Sequence, residues 1–260
     1  MSAITSILLG IIQGLTEFLP ISSSAHLVFA EQLLKLTPNI RLSYSAFLHL
    51  GTTLALLIFF GKRISQIIGS VFAKDRIESR TNLLLILYII IGSIPAAIIG
   101  FLFKDKIEFT FVHPMYPAIF LIFTGALLFA TKLVKSHDRK LNLIVAILIG
   151  VAQAIALLPG ISRSGSTIAA ALLLGLSSFE AFEFSFLLSI PAVIGANLFT
   201  FKDLSNASIS GSLIIPGILI SAITGLLALR LLKNLVLRKR LYYFGFYCII
   251  LSILALIFLV

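Results

Sequence analysis

Long apolar runs broken by two polar interruptions set the pattern of this chain. Residues 83–103, 115–130, 184–201, 213–229 and 241–260 are nearly free of charge. Each is long enough, or almost so, to cross about 30 Å of hydrocarbon as a helix. The interruptions read Gln-Gly-Leu-Thr-Glu-Phe-Leu-Pro-Ile-Ser-Ser-Ser-Ala-His over 13–26 and Gln-Ala-Ile-Ala-Leu-Leu-Pro-Gly-Ile-Ser-Arg-Ser-Gly-Ser-Thr over 153–167. A shift of 140 residues lays Gly10, Gln13, Ile21, Ser22 and Ser24 on Gly150, Gln153, Ile161, Ser162 and Ser164. Ionisable groups set in such apolar surroundings are costly and mark function, so these two segments are where chemistry is expected.

Composition agrees with the pattern. The 260 residues are 59% hydrophobic and only 12% charged, with mean hydropathy +1.13; a soluble domain carries about a quarter charged residues. An all-α polytopic membrane protein follows. The net charge of +10 does not argue for a nucleic-acid partner, because the charge is sorted by loop. Lys62, Arg63, Lys74, Arg76 and Arg80 share one loop, Lys132, Lys135, Arg139 and Lys140 a second, and Arg230, Lys233, Arg238, Lys239 and Arg240 a third. The alternate loops hold only Lys35, Arg41, Lys104, Lys106 and Lys202. The three rich loops are therefore expected on the cytoplasmic side.

Walking that charge bias along the chain predicts spans near 44–61, 82–103, 115–131, 182–201, 211–229 and 241–259. Segment 141–175 then makes no net crossing, entering and returning at its Pro159-Gly160 break. The same logic makes 2–35 a second hairpin, interrupted at Pro20, that enters from outside. A full crossing at 2–29 would instead put the N-terminus inside. The expected plan is an inverted-topology repeat: two re-entrant helical hairpins plus about six transmembrane helices. It forms one integral membrane domain, 1–260, with halves of about 1–135 and 140–260. The N-terminus lacks the positive region of a cleavable signal peptide and reads as part of the mature fold. Lys202 to Gly211 reads as a loop, and the lone Cys248 as a packing residue.

Gln13 and Glu17, four apart, project from one helical face. Ser22, Ser23, Ser24 and His26 follow the first break; Ser162, Arg163, Ser164, Ser166 and Thr167 stand at the second. Ser-rich turns before a helix offer N–H groups and hydroxyls to an anion, and Arg163 adds a planar fork matched to phosphate. If the halves meet about a pseudo-two-fold axis, Ser23 and Arg163 are counterparts. An anion clamp, a hydroxyl, a base and a carboxylate able to hold a divalent cation suit phosphoryl transfer. Plainer readings are preferred elsewhere. His49 is expected to bond within the bundle, an indirect role at the site being open. Glu180 and Glu183 start a helix, Asn197 joins helices, and the many Phe face lipid or pack.

With these motifs in view, the chain resembles the undecaprenyl-diphosphatase family, the bacitracin-resistance type of lipid pyrophosphatase. Its two signatures, (E/Q)xxxE and PGxSRSxxT, appear as Gln13-Gly-Leu-Thr-Glu17 and Pro159-Gly-Ile-Ser-Arg-Ser-Gly-Ser-Thr167. The resemblance spans essentially the whole chain. It implies hydrolysis of undecaprenyl diphosphate to the monophosphate carrier of cell-wall synthesis, in the bacterial cytoplasmic membrane, with a divalent cation (Mg or Ca). Carried over by position, Gln13 and Glu17 fit the metal and diphosphate region. Ser23 fits the nucleophile, His26 its assisting base or acid, and Arg163 the catalytic clamp. Ser22, Ser24, Ser162, Ser164 and Thr167 fit substrate binding. Gln at position 13 is a weaker cation ligand than the alternative Glu. The charge walk points to a site opening on the outer face, and a homodimer is left open. The rival function is a polyprenyl-phosphate transporter or flippase, since inverted repeats with broken helices are a transporter plan. A membrane phosphatase with a His nucleophile is the third reading.

Overall fold

The computed structural model describes residues 2–36, 38–72, 76–134, 139–204 and 211–260, with the side chains of 38–43, 76–78 and 198–204 excepted. Among the described residues the chain is all α-helical. It is a polytopic membrane protein, with five helices long and apolar enough to cross a bilayer. Chain order gives α1 (Ala3–Phe18), α2 (Ser23–Leu33), α3 (Pro38–Phe72), α4 (Arg76–Leu102), α5 (Lys104–Val112) and α6 (Met115–Ala130). The second half follows with α7 (Leu143–Ile155), α8 (Arg163–Leu173), α9 (Ser178–Leu204), α10 (Gly211–Leu237) and α11 (Tyr243–Phe258). α3, α4, α6, α9 and α10 hold the candidate spans, and α11 is a shorter apolar helix in the sixth expected position.

Both hairpins break where the sequence requires it. Pro20 disfavours helical dihedrals at Leu19, which sits at φ −61°, ψ 145° and ends α1. Ser22 then caps α2 with its hydroxyl accepting from the Ala25 amide, and Ser162 caps α8 by accepting from Gly165. These two caps occupy equivalent positions in the repeat. Ser22 holds φ +66°, a costly backbone for a residue with a Cβ, at the edge of the cavity described below.

Each hairpin packs on the other half: α1 lies against α10, and α7 against α4. Small residues permit this approach. A methyl group on Gly10 would stand 2.8 Å from the Gly217 carbonyl oxygen, and one on Gly150 would stand 2.1 Å from that of Gly92. Equivalent glycines thus make equivalent contacts. The counterparts α3 and α9 meet, as do α6 and α11. Gly125 and Gly245 close the latter crossing reciprocally, each 2.9–3.0 Å from the other's carbonyl oxygen if given a Cβ. That mutual contact is what a local two-fold relation produces.

Some details depart from the expected plan. Residues 202–204 finish α9 instead of opening a loop; 205–210 lie outside the described residues, as do the side chains of Arg41, Lys74, Arg76, Lys135 and Lys202. α5 was not expected. Its pattern is too polar and short to read as a span, and it is supported locally by a Lys104–Glu108 pair at 3.6 Å. Glu180 forms a capping box with Ser177 at the start of α9, whereas Glu183 pairs with Arg63 at 2.9 Å. Cys248 is buried.

Candidate active site

The two breaks bring together residues from opposite halves around Glu17. Glu17 is the last residue but one of α1, and its side chain is 8% exposed. One oxygen, Oε1, accepts from Arg163 Nη2 at 2.6 Å, and Oε2 accepts from Ser23 Oγ at 2.6 Å and from Gln13 Nε2 at 3.1 Å. Ser23 and Arg163 are the first residues of α2 and α8, and equivalent in the repeat. One half therefore presents a hydroxyl and the other a guanidinium to the same carboxylate.

This end opens into a cavity of about 420 Å³. Its polar end is formed by Glu17, Ser22, Ser23, Ser24, Ser162 and Arg163. Most of the remaining wall is apolar, including Leu27, Val28, Ala96, Phe111, Leu157 and Val193. Arg163 Nη1 is buried with no hydrogen-bond partner, and so is Gln13 Oε1. An orphaned guanidinium N–H on a residue that lines such a site is a donor available to an anion.

The other serines hold the hairpins to each other. The Gly160 amide donates to Ser22 Oγ at 3.1 Å and to Ser24 Oγ at 3.4 Å, and Ser164 Oγ donates to the Leu19 carbonyl at 3.3 Å. Each break is thus stitched to the opposite one. Ser162 receives a further tie, its amide donating to Thr124 Oγ1 at 3.0 Å. Ser164 and Thr167 do not line the cavity; Thr167 donates back to the Arg163 carbonyl at 2.9 Å.

His26 is turned away from Ser23. Its Nδ1–H donates to the Ser22 carbonyl at 2.8 Å, which leaves Nε2 to accept from the Tyr247 hydroxyl at 2.7 Å. It is not among the residues lining the cavity. The imidazole at the site belongs to His49 on α3, whose Nδ1 lies 2.9 Å from Gln13 Nε2 and 3.6 Å from Glu17 Oε2. Since a carboxylate can only accept, the Gln13 amide nitrogen must face Glu17, and it also donates to His49 Nδ1. The sequence favours a bundle hydrogen-bonder at His49 and leaves open an indirect role at the site, which is the role its contact with Gln13 fits. The available signal was Ser45, His49, Thr52 and Thr53 recurring along one uncharged stretch of α3, 44–61. Glu31 was not expected here; it is a buried carboxylate on the same cavity and accepts from Ser45 Oγ at 2.7 Å. Asn197 lines the cavity as well, while donating to Thr53 Oγ1 at 2.9 Å.

The fit to a divalent cation is limited by donors. Among the described residues no three His, Cys, Asp or Glu side chains group as a metal site. Glu17 and the unpaired Gln13 Oε1 supply hard oxygens, which suits a cation whose coordination is completed by phosphate oxygens.

The family model described as bacitracin resistance protein BacA matches residues 6–254 of this chain. A protein named undecaprenyl-diphosphatase from Methanococcus vannielii is 41% identical over 257 residues, covering 98% of this chain and 99% of the relative. Proteins of the same name from Thermosipho africanus and Elusimicrobium minutum are each 42% identical. They cover 96% and 99% of this chain, and 97% and 98% of their own lengths.

Proposed function

This chain belongs to the bacitracin resistance protein BacA family, and from that premise we propose that it hydrolyses undecaprenyl diphosphate to the monophosphate and phosphate at the Glu17–Arg163 cavity. The observation that carries the reading is one carboxylate held by a hydroxyl and a guanidinium from opposite halves, at the polar end of an apolar cavity. The apolar walls suit the polyprenyl chain. The diphosphate reaches the helix starts at Ser23 and Arg163, where N–H donors and positive charge favour anions.

Ser23 Oγ already donates to Glu17 Oε2, so the proton has an acceptor as the oxygen attacks the terminal phosphorus. The bond to phosphorus forms as the bridging P–O bond breaks, and the lipid monophosphate leaves. Glu17 passes that proton to the departing lipid monophosphate. Water then attacks the phosphoserine, giving a proton to Glu17 as the Ser23–phosphorus bond breaks, and the proton returns to Ser23 Oγ as phosphate is freed. Attack by activated water without Ser23 is the alternative route. Arg163, with Nη1 unpaired, neutralises charge on the transferring group. A divalent cation carried on the diphosphate would be met by Glu17 and Gln13 and would add to that neutralisation. His49 orients Gln13, and through it Glu17. The Lys and Arg bias supports a mouth on the outer face, where the product would rejoin the carrier pool used in cell-wall synthesis.

A polyprenyl-phosphate transporter is favoured by one feature, the exchange of hairpins between two halves of opposite topology. Phosphate release decides. Purified protein given farnesyl diphosphate should release phosphate, with Arg163→Ala reducing the rate by about 10²–10³-fold. No release by the wild type overturns the hydrolase reading.

A further inference from the structure

A second amide borders the cavity, and among the described residues none engages it. Gln153 on α7 is 2% exposed, and its Oε1 and Nε2 are both buried without a hydrogen-bond partner. It lines the cavity together with Glu17, Ser23 and Arg163. Folded proteins leave few buried polar atoms unpaired, because each forfeits its hydrogen bond to water with no return. A side chain with both ends unpaired calls for a specific explanation.

The internal repeat sharpens the point. Gln153 is the counterpart of Gln13, whose amide nitrogen holds Glu17 at 3.1 Å and His49 at 2.9 Å. Four residues after Gln13 stands Glu17; four after Gln153 stands Leu157. On α7 there is no carboxylate for the amide to orient. If the residue served only to fill space, a leucine or methionine would do so without the cost of two unpaired polar atoms.

We propose that Gln153 is a diphosphate-binding residue. Its Nε2–H donates to a non-bridging phosphate oxygen, beside the unpaired Nη1 of Arg163, and its Oε1 accepts from a water held against the same phosphate. The two halves thereby supply one amide each to a single anion site. The amide of Gln13 fixes the carboxylate, while that of Gln153 meets the substrate. An uncharged donor suits this place, because it adds a hydrogen bond to the anion without competing with Arg163 for the Glu17 carboxylate. The inference rests on the hydrolase reading of this cavity.

Gln153→Met, close in volume, separates a ligand-directed amide from a structural one. Unfolding in detergent is followed through a thiol-reactive dye on Cys248, the single and buried cysteine. Hydrolysis is measured with farnesyl diphosphate, and binding by the thermal shift from farnesyl methylenediphosphonate, which cannot be hydrolysed. The variant should melt no lower than the wild type without ligand. It should lose most of the ligand-induced shift and lose about 10- to 100-fold in kcat/KM, as expected for a hydrogen bond to a charged group. A variant that hydrolyses and shifts like the wild type overturns the inference and leaves the hydrolase reading standing. A variant that melts well below the wild type without ligand also overturns it, since the amide is then structural. If the wild type releases no phosphate yet shows a shift that Gln153→Met abolishes, the hydrolase reading fails and the diphosphate contact stands. If the wild type shows neither, both fail.

Discussion

The Glu17–Arg163 pair joins the two halves of the repeat, and cutting it from either side should have unequal consequences. The contact is 2.6 Å long, with side chains 8% and 17% exposed. Removing one partner of a buried pair leaves the other uncompensated, at a cost of about 3–5 kcal/mol. Arg163 cannot shed its charge, so Glu17→Gln should bear the full cost. For a chain of this size that corresponds to a melting temperature lower by about 6–10 °C. Arg163→Met should cost less, because an unpaired Glu17 can take up a proton and become neutral. The double variant removes both charges and should recover most of the lost stability, with a coupling of at least about 1 kcal/mol. Thermal unfolding in detergent, read at Cys248, measures all four proteins under one condition. Additive losses in the double variant would refute the claim that the pair is energetically coupled.

Other substitutions test separate parts of the site. Ser23→Ala should lower kcat by about 10²-fold or more with little change in KM, and a phosphorylated Ser23 should be trapped by rapid quench in the wild type; an unchanged kcat would leave water as the nucleophile. His26→Ala should lower stability by about 1 kcal/mol, through loss of its bonds to Ser22 and Tyr247, with kcat within about 10-fold of the wild type. His49→Ala should reduce kcat more than His26→Ala does, because it frees the Gln13 amide that orients Glu17; equal effects would argue against that role. Gly150→Val should prevent folding, since its Cβ would meet the Gly92 carbonyl oxygen at 2.1 Å, and a lack of folded protein by size-exclusion chromatography is the readout.

Much of this arrangement was legible in the sequence because hydropathy and breakers act along the chain. Runs such as 83–103 announce spans, and Pro20 and Pro159-Gly160 announce breaks. The doubled Ser-rich motif pointed to Glu17, Ser23 and Arg163 because charge among apolar residues has few uses. What could not be read is which buried polar group meets which. His26 stands next to the serine cluster in sequence, yet its ring bonds to Tyr247, 221 residues away. His49 lies 32 residues from Glu17 and has ordinary apolar neighbours, Leu48 and Leu50, so only the packing of α3 against α1 brings it to the carboxylate. α5 escaped notice because its stability is local and its apolar face small, although Phe111 and Val112 on it complete the cavity wall.

The positions the two halves share and those at which they differ divide by physical task. Gly10 and Gly150 permit the same helix crossing, Ser22 and Ser162 cap the same helix, and Ser24 and Ser164 each bond across to the opposite break or its backbone. These tasks are symmetrical, so identical residues serve them. The chemistry is not symmetrical. A phosphoryl group in transfer needs a nucleophile on one side and positive charge about its equatorial oxygens, and no single residue type meets both needs. Ser23 stands in one half where Arg163 stands in the other, and Glu17 where Leu157 stands, so that one carboxylate can hold both the hydroxyl and the guanidinium. A second carboxylate at position 157 would compete for Arg163 and repel the diphosphate. Leu157→Glu should therefore impair the enzyme more than loss of an apolar contact explains. Raised KM for farnesyl diphosphate with preserved folding is the expected result, and an unchanged KM would refute the assignment of unlike tasks to the two halves.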